Sequence, residues 1–201
     1  MVVSSTDGRV QRGNETRRAV LGRAVQIASV EGLAALSIGR LATDLGLSKS
    51  GVFAGFGSKE ELQLATVRAA RRIFYDRVVA PALELPAGAG QVRALCEHWI
   101  DYSRGRVFEG GCFFYAVTAE FDARPGQVRD ALAAVALEWE TLVTDLLRAA
   151  RAAGELPADS DPEELALLLT GLMDSANVLA VLHDDPSRYD RALRAIHRLL
   201  G

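Results

Sequence analysis

From Thr16 onward, apolar residues return every three or four positions. Val20, Leu21, Ala24, Ile27 and Ala28 fall on one helix face, and Gly32 is a natural stop. Gly22 inside that run weakens the helix by about 1 kcal/mol relative to Ala without breaking the pattern. Ser37 has the side chain of an N-cap. Behind it Ile38, Leu41, Ala42 and Leu45 predict a helix over 38–45 with these residues turned inward. Gly46 ends that helix, Ser48 caps a second one of about two turns, and Ser58 with Glu61 reads as a capping box. The helix that follows is predicted from Lys59 to about Pro81, with Leu62, Ala65, Ala69, Ile73 and Val78 along its stripe. At 1.5 Å per residue it would be roughly 33 Å long. "LPAGAG" at 85–90 interrupts the pattern, and further helices are predicted over 91–106, 112–122, 126–153, 162–183 and 187–200. No segment alternates with period two. The expectation is an all-α protein of about nine helices, preceded by a flexible basic arm over residues 1–14, where no apolar period is seen.

Composition supports a globular chain: 49% of the 201 residues are hydrophobic and 24% charged, enough to bury a sizeable core. Cys96 and Cys112 are too few for a disulfide scaffold, and the first 18 residues are polar and Arg-rich rather than leader-like. The expected location is therefore the cytoplasm. "LALLLTGLMDSANVLAVL" (165–182) is long enough for a membrane span. Thr170, Asp174, Ser175 and Asn177 inside it favour a buried helix at a protein contact, and no membrane association is expected. The net charge of −3 conceals a split. Residues 1–77 hold 12 Lys+Arg against 7 Asp+Glu, and the rest of the chain is strongly acidic. A basic end on an acidic body suggests that the first part meets a polyanion.

The stretch 41–62 concentrates glycine and serine in a chain otherwise rich in Ala, Leu and Arg. Two short helices joined by a tight glycine turn make a helix-turn-helix. Leu47 plugs the core, Val52 and Phe56 face inward, and Lys49, Ser50, Gly51 and Ala54 form an exposed face of small or cationic groups suited to close approach. The same small face would also suit a helical scaffold or small-molecule-binding protein that uses the motif for protein contacts. The basic charge of residues 1–77 argues against that reading.

Residues 16–64 resemble the DNA-binding domain of the tetracycline-repressor (TetR) family of bacterial transcription regulators. The resemblance is carried by Thr16-Arg17-Arg18, Gly32, the frame Ser37, Leu41-Ala42 and Leu45-Gly46, and the ending Ser48-Lys49, Phe53, Phe56 and Ser58-Lys59-Glu60-Glu61-Leu62. It implies a three-helix DNA-binding domain over 15–60 and a helical ligand-binding and dimerisation domain over 61–201. It also implies a homodimer on a palindromic double-stranded operator, released by a small-molecule inducer, most often as a repressor. On that resemblance Ser37 and Lys59 stand at helix starts that meet phosphates, and Ser48, Lys49, Ser50, Gly51 and Phe53 belong to the recognition helix. Arg17 and Arg18 are expected to contact the DNA backbone, with Arg9 and Arg12 as further arm contacts or solvated charges. Phe53 stands where relatives usually carry Tyr, and Gly55 where they often carry His. Fewer base-edge hydrogen bonds and more reliance on fit and DNA shape are expected.

The second half offers no catalytic motif, no metal-ligand spacing among His98, His183 and His197, and no cofactor fingerprint. An enzyme is not expected. "GGCFFYAVTAEFDARPG" (110–126) mixes aromatics with Thr118 and Glu120. Phe114, Tyr115 and Thr118, together with Trp99, Tyr102 and Trp139, are candidates for a ligand pocket, or else ordinary core packing. Helix 162–183 is apolar on more than one face. Leu168, Leu172, Ser175 and Leu179, with Leu193, Ile196 and Leu200 of the last helix, form a candidate two-fold dimer interface; a monomer with a thick core is the alternative.

Overall fold

The computed structural model describes residues 5–201, with side chains from Gln11 onward. Helix α1 (Ser5–Glu31) leads through a 3-10 turn, Leu33–Ala35, into α2 (Ile38–Leu45), α3 (Lys49–Phe56) and α4 (Lys59–Phe74). A π-helical turn, Tyr75–Val79, carries α4 directly into α5 (Ala80–Leu83). Then come α6 (Ala89–Arg104), α7 (Phe113–Phe121), α8 (Gln127–Ala152), α9 (Pro162–His183) and α10 (Ser187–Leu200). With α4, its π turn and α5 counted as one rod, the described residues hold nine helices and no strand.

Two local expectations need correction. Helix α1 begins at Ser5, not at Thr16, so residues 5–14 are helical rather than a flexible arm; residues 1–4 lie outside the described residues. The lack of an apolar period there is real, since positions 11–15 are exposed. Extending an already nucleated helix costs far less than starting one. Likewise, the Ser58 hydroxyl accepts from the Glu61 N–H at 3.0 Å, but the Ser58 N–H goes to the Phe56 carbonyl at 2.9 Å, so only half of the capping box forms.

Helices α2 and α3 have eight residues each, too short to persist alone. Their ends are held locally. The Ser37 hydroxyl accepts from the Arg40 N–H and the Ser48 hydroxyl from the Gly51 N–H, both at 3.1 Å, each cap contributing about 1 kcal/mol. Gly46 takes the left-handed conformation (φ 64, ψ 29) that reverses the chain between them, a geometry disfavoured for residues with a Cβ. Their inner faces then bury Leu41, Ala42, Val52 and Phe56 against Val20, Ala24 and Ile27 of α1 and Leu62 of α4.

The π turn has a cause in Pro81. Proline has no N–H for the Arg77 carbonyl, and its ring would crowd that carbonyl in a regular helix. Widening the preceding turn lets the Ala80 N–H bond the Tyr75 carbonyl instead, and the rod continues. In the second half, α6 runs through the middle, packed by α8, α9 and α10. A buried polar knot joins these elements: the Ser103 hydroxyl lies 2.8 Å from Asn177 Oδ1 and 2.9 Å from the Tyr189 hydroxyl, and Asn177 Oδ1 also accepts from the Cys112 N–H at 3.0 Å.

Candidate nucleic-acid interface and ligand cavity

Helix α3 shows two unlike faces. Val52 and Phe56 are buried, while Lys49, Ser50, Gly51, Phe53, Ala54 and Gly55 are exposed. Phe53 leaves 54% of its surface open, an apolar ring with no fold-related reason to face water. The Lys49 stem lies over Gly39 at the start of α2; a Cβ on Gly39 would stand 2.7 Å from Lys49 Cε. A small residue at 39 thus makes room for the cation, a role that the spacing alone did not reveal. Ser37 and Ser48 are exposed as well as capping, and the free N–H groups of a helix start beside them suit an anion.

Arg17 and Lys59 both have partners within the protomer. The Arg17 guanidinium donates to the Gly55 carbonyl and lies over the Phe56 ring, 4.4 Å from its centroid, so it clamps α1 onto the end of α3. A DNA-backbone contact by Arg17 would have to share the guanidinium with these partners. Lys59 Nζ donates to the Ala34 carbonyl at 2.5 Å while remaining exposed, so any phosphate must share it with that carbonyl. Arg18 and Arg12 are exposed on α1. The side chain of Arg9 lies outside the described residues.

The turn that receives Lys59 is gripped from several sides. Both carboxylate oxygens of Glu120 on α7 accept from it, at 2.7 Å from the Leu33 N–H and 2.9 Å from the Ala34 N–H. Gln63 on α4 donates to the Leu33 carbonyl at 2.9 Å. One turn of chain at the seat of α2 is therefore tied to both α4 and α7. Close by, the backbone at Gly110 lies against that of Ser29 with no room for a Cβ. The Glu109 N–H donates to Gln26 at 2.8 Å and the Gly110 N–H to the Ser29 hydroxyl at 3.1 Å.

On the far side of α7 lies a cavity of about 550 Å³. Three helical stripes enclose it: Tyr115 and Thr118 of α7, Trp139 and Glu140 of α8, Thr170 and Asp174 of α9. Phe74, Trp99 and Phe114 supply further apolar wall. Phe74 meets Trp139 edge to face at 5.3 Å and Phe114 at 5.8 Å, and the Trp139 Nε1–H donates to Thr170 Oγ1 at 3.3 Å, which fixes the indole. Tyr102 is corrected out of the wall: it is buried behind it, its hydroxyl accepting from the Phe113 N–H at 3.4 Å, because its helical position turns it toward Phe108. Among the described residues no cation pairs with Asp174, and burial pushes its carboxyl up to about 6. The Cys96 and Cys112 thiols are buried and pushed up to about 12 by desolvation, which leaves them protonated and unreactive at neutral pH. No group of three His, Cys, Asp or Glu suited to a metal occurs among the described residues.

The expected dimer residues divide. Leu168 and Ser175 are exposed, and Leu172, Leu179 and Leu193 are half-buried. Ile196 and Leu200 are corrected: both are buried in the protomer, because the single apolar stripe of α10 is used up against α6 and α9. Leu167 and Leu182 add 74% and 72% exposed apolar surface on α9. Among the described residues α9 is the one helix long and apolar enough to cross a membrane, and only a third of its most apolar window is buried.

Residues 20–66 match the family described as "Bacterial regulatory proteins, tetR family", and residues 88–196 match "Tetracyclin repressor-like, C-terminal domain". No curated protein matches the chain. Among solved structures, a TetR transcriptional regulator from Chloroflexus aurantiacus is 26% identical with a TM-score of 0.85, over 92% of this chain and 94% of that one. SCO4454, a TetR-family transcriptional regulator from Streptomyces coelicolor, is 27% identical with a TM-score of 0.78, over 93% and 95%. AibR, solved with isovaleryl coenzyme A and operator DNA, shares the fold at 16% identity and a TM-score of 0.73, over 92% and 98%.

Proposed function

Because the chain belongs to the tetR family of bacterial regulatory proteins, we propose that it binds a palindromic operator as a homodimer and lets go when a small molecule fills the α7–α8–α9 cavity. Residues 15–60 read the DNA, residues 61–201 hold ligand and partner, and repression is the resulting activity. The observation that carries this reading is the position of α7: one side of it lines the cavity, and Glu120 on the same helix holds the turn on which α2 and α3 stand. Ligand that displaces α7 pulls on that turn. Coupling of about 1–3 kcal/mol, typical between such sites, lowers operator affinity 5–150-fold.

The DNA contact is made by the exposed face of α3, with the α2 and α4 starts on flanking phosphates. With Phe53 and Gly55 in place of polar groups, readout rests on apolar contact and groove shape more than on hydrogen bonds. A second copy of the chain covers the exposed stripe of α9, where Gly171 and Ser175 allow close approach between the leucines. A bilayer is a poorer cover, since α10 packs along α9 with Arg191, Arg194 and Arg198 exposed. The acyl-CoA of AibR is not carried over, because the cavity here offers no cationic side chain to phosphates.

The test is selection of bound fragments from a random DNA pool with the purified chain. Two-fold symmetric sites with half-sites about 34–36 Å apart are expected. Recovery of no preferred sequence at modest salt, or of asymmetric single half-sites, overturns the reading.

A further inference from the structure

The lining of the α7–α8–α9 cavity constrains the chemistry of its occupant. Its charged side chains are Asp122, Glu140, Glu163 and Asp174, with no Lys, Arg or His. Of these four carboxylates, only that of Glu163 is ion-paired among the described residues, with the Arg148 guanidinium; Arg129 meets Asp122 at its backbone carbonyl, 3.2 Å away. Asp122 and Glu140 are exposed, while Asp174 is withdrawn from water with no charge of opposite sign beside it. The rest of the wall is mostly apolar, the rings of Phe74, Trp99, Phe114, Tyr115 and Trp139 among aliphatic side chains, and the donor of Trp139 is already engaged by Thr170, so what the indole has left to offer is its π-face.

These features act in one direction. Aromatic faces attract cations, most strongly when water is excluded. A carboxylate in poorly solvated surroundings attracts a cation and repels an anion far more than it would in bulk water. A neutral occupant would fill the space but leave Asp174 unpaired, and an anion would add repulsion to that penalty. The volume of about 550 Å³ is in the range that takes a drug-sized molecule, so it has room for an apolar body as well as a small charged head.

We propose that the occupant is an organic cation, an alkyl- or aryl-substituted ammonium, seated with its charge toward Asp174 and its apolar part against Trp99, Trp139 and Phe114. The proposal rests on reading this cavity as the ligand site, and deepens that reading by naming the chemical class.

The chain has two tryptophans, Trp99 and Trp139, and both line the cavity, so intrinsic fluorescence reports on its filling. The full-length protein is titrated with phenyltrimethylammonium, its neutral isostere tert-butylbenzene, and the anion 4-tert-butylbenzoate. The cation is expected to bind about tenfold more tightly than either other probe, and Asp174→Asn to remove about that factor for the cation while leaving the neutral probe unchanged. A neutral or anionic probe that binds wild-type protein as tightly as the cation overturns the cationic class but leaves a ligand cavity in place. Full cation affinity in Asp174→Asn overturns the assigned seat. If none of the three alters the fluorescence, the assignment falls together with the cavity reading beneath it.

Discussion

Asp174 lowers the stability of the folded chain for as long as nothing pairs with it. Burial raises its pKa from 3.8 to about 6. Across that window the folded state holds a proton that the unfolded state releases, so its contribution to stability falls as pH rises and the penalty is complete above about 6. Asp174→Asn is therefore expected to stabilise the ligand-free protein at pH 8 by about 2 kcal/mol, allowing for partial exposure, with a much smaller gain at pH 4.5. Urea unfolding at the two pH values checks this. A second residue-scale expectation concerns Lys49, exposed on α3 over Gly39. Lys49→Ala should weaken binding to every DNA sequence and reduce the slope of log K against log salt by about one unit, measured by titration at several salt concentrations. The exposure of Lys49, Ser50, Gly51 and Ala54 was legible from spacing, because an eight-residue helix with Val52 and Phe56 inside leaves those positions no alternative, whereas Phe53 was marked only by the family resemblance. The engagement of Arg17 by Gly55 and Phe56 was not legible, since those partners are remote in the chain and charge alone suggests solvent or phosphate.

Among the elements, what is local was readable and what is long-range was not. Ser37, Ser48 and Ser58 all cap the helices that their positions predicted, because a cap needs only its own next turn. The grip of Glu120 on Leu33 and Ala34 joins residues 86 and 87 positions apart, and no periodicity announces it. Its removal has a defined expectation. Glu120→Ala leaves the amides of residues 33 and 34 without their acceptor, worth about 1.5–3 kcal/mol for a charged partner, so their hydrogen exchange should accelerate by roughly tenfold or more. Exchange measured residue by residue, with the α8 amides as an internal control, decides whether the contact persists in solution. Operator affinity of the same variant should fall severalfold, because α2 and α3 lose part of their seat.

For the molecule as a whole, the number of helices and their order followed from apolar periods and glycine or proline breaks. The partition of the last two helices did not. A helix apolar all round, as α9 is, does not reveal which of its sides meets its own protomer, and Leu167 and Leu182 proved open; α10 has one apolar stripe, which its own protomer uses, so Ile196 and Leu200 proved internal. The proposed pairing across α9 predicts that Leu168→Glu with Ser175→Arg yields a folded monomer by analytical ultracentrifugation, with operator affinity reduced at least about a hundredfold as one half-site is lost. An unchanged dimer would place the interface elsewhere.

The turn at Leu33–Ala34 is held by α4 and α7, whereas none of its holders belongs to the outward side of α3. Responsiveness and address are thus written on different surfaces. Exchanging the outward residues of α3 for those of another regulator should redirect the protein to a new promoter while its sensitivity to the same effector stays intact, making the chain a natural chassis for hybrid switches.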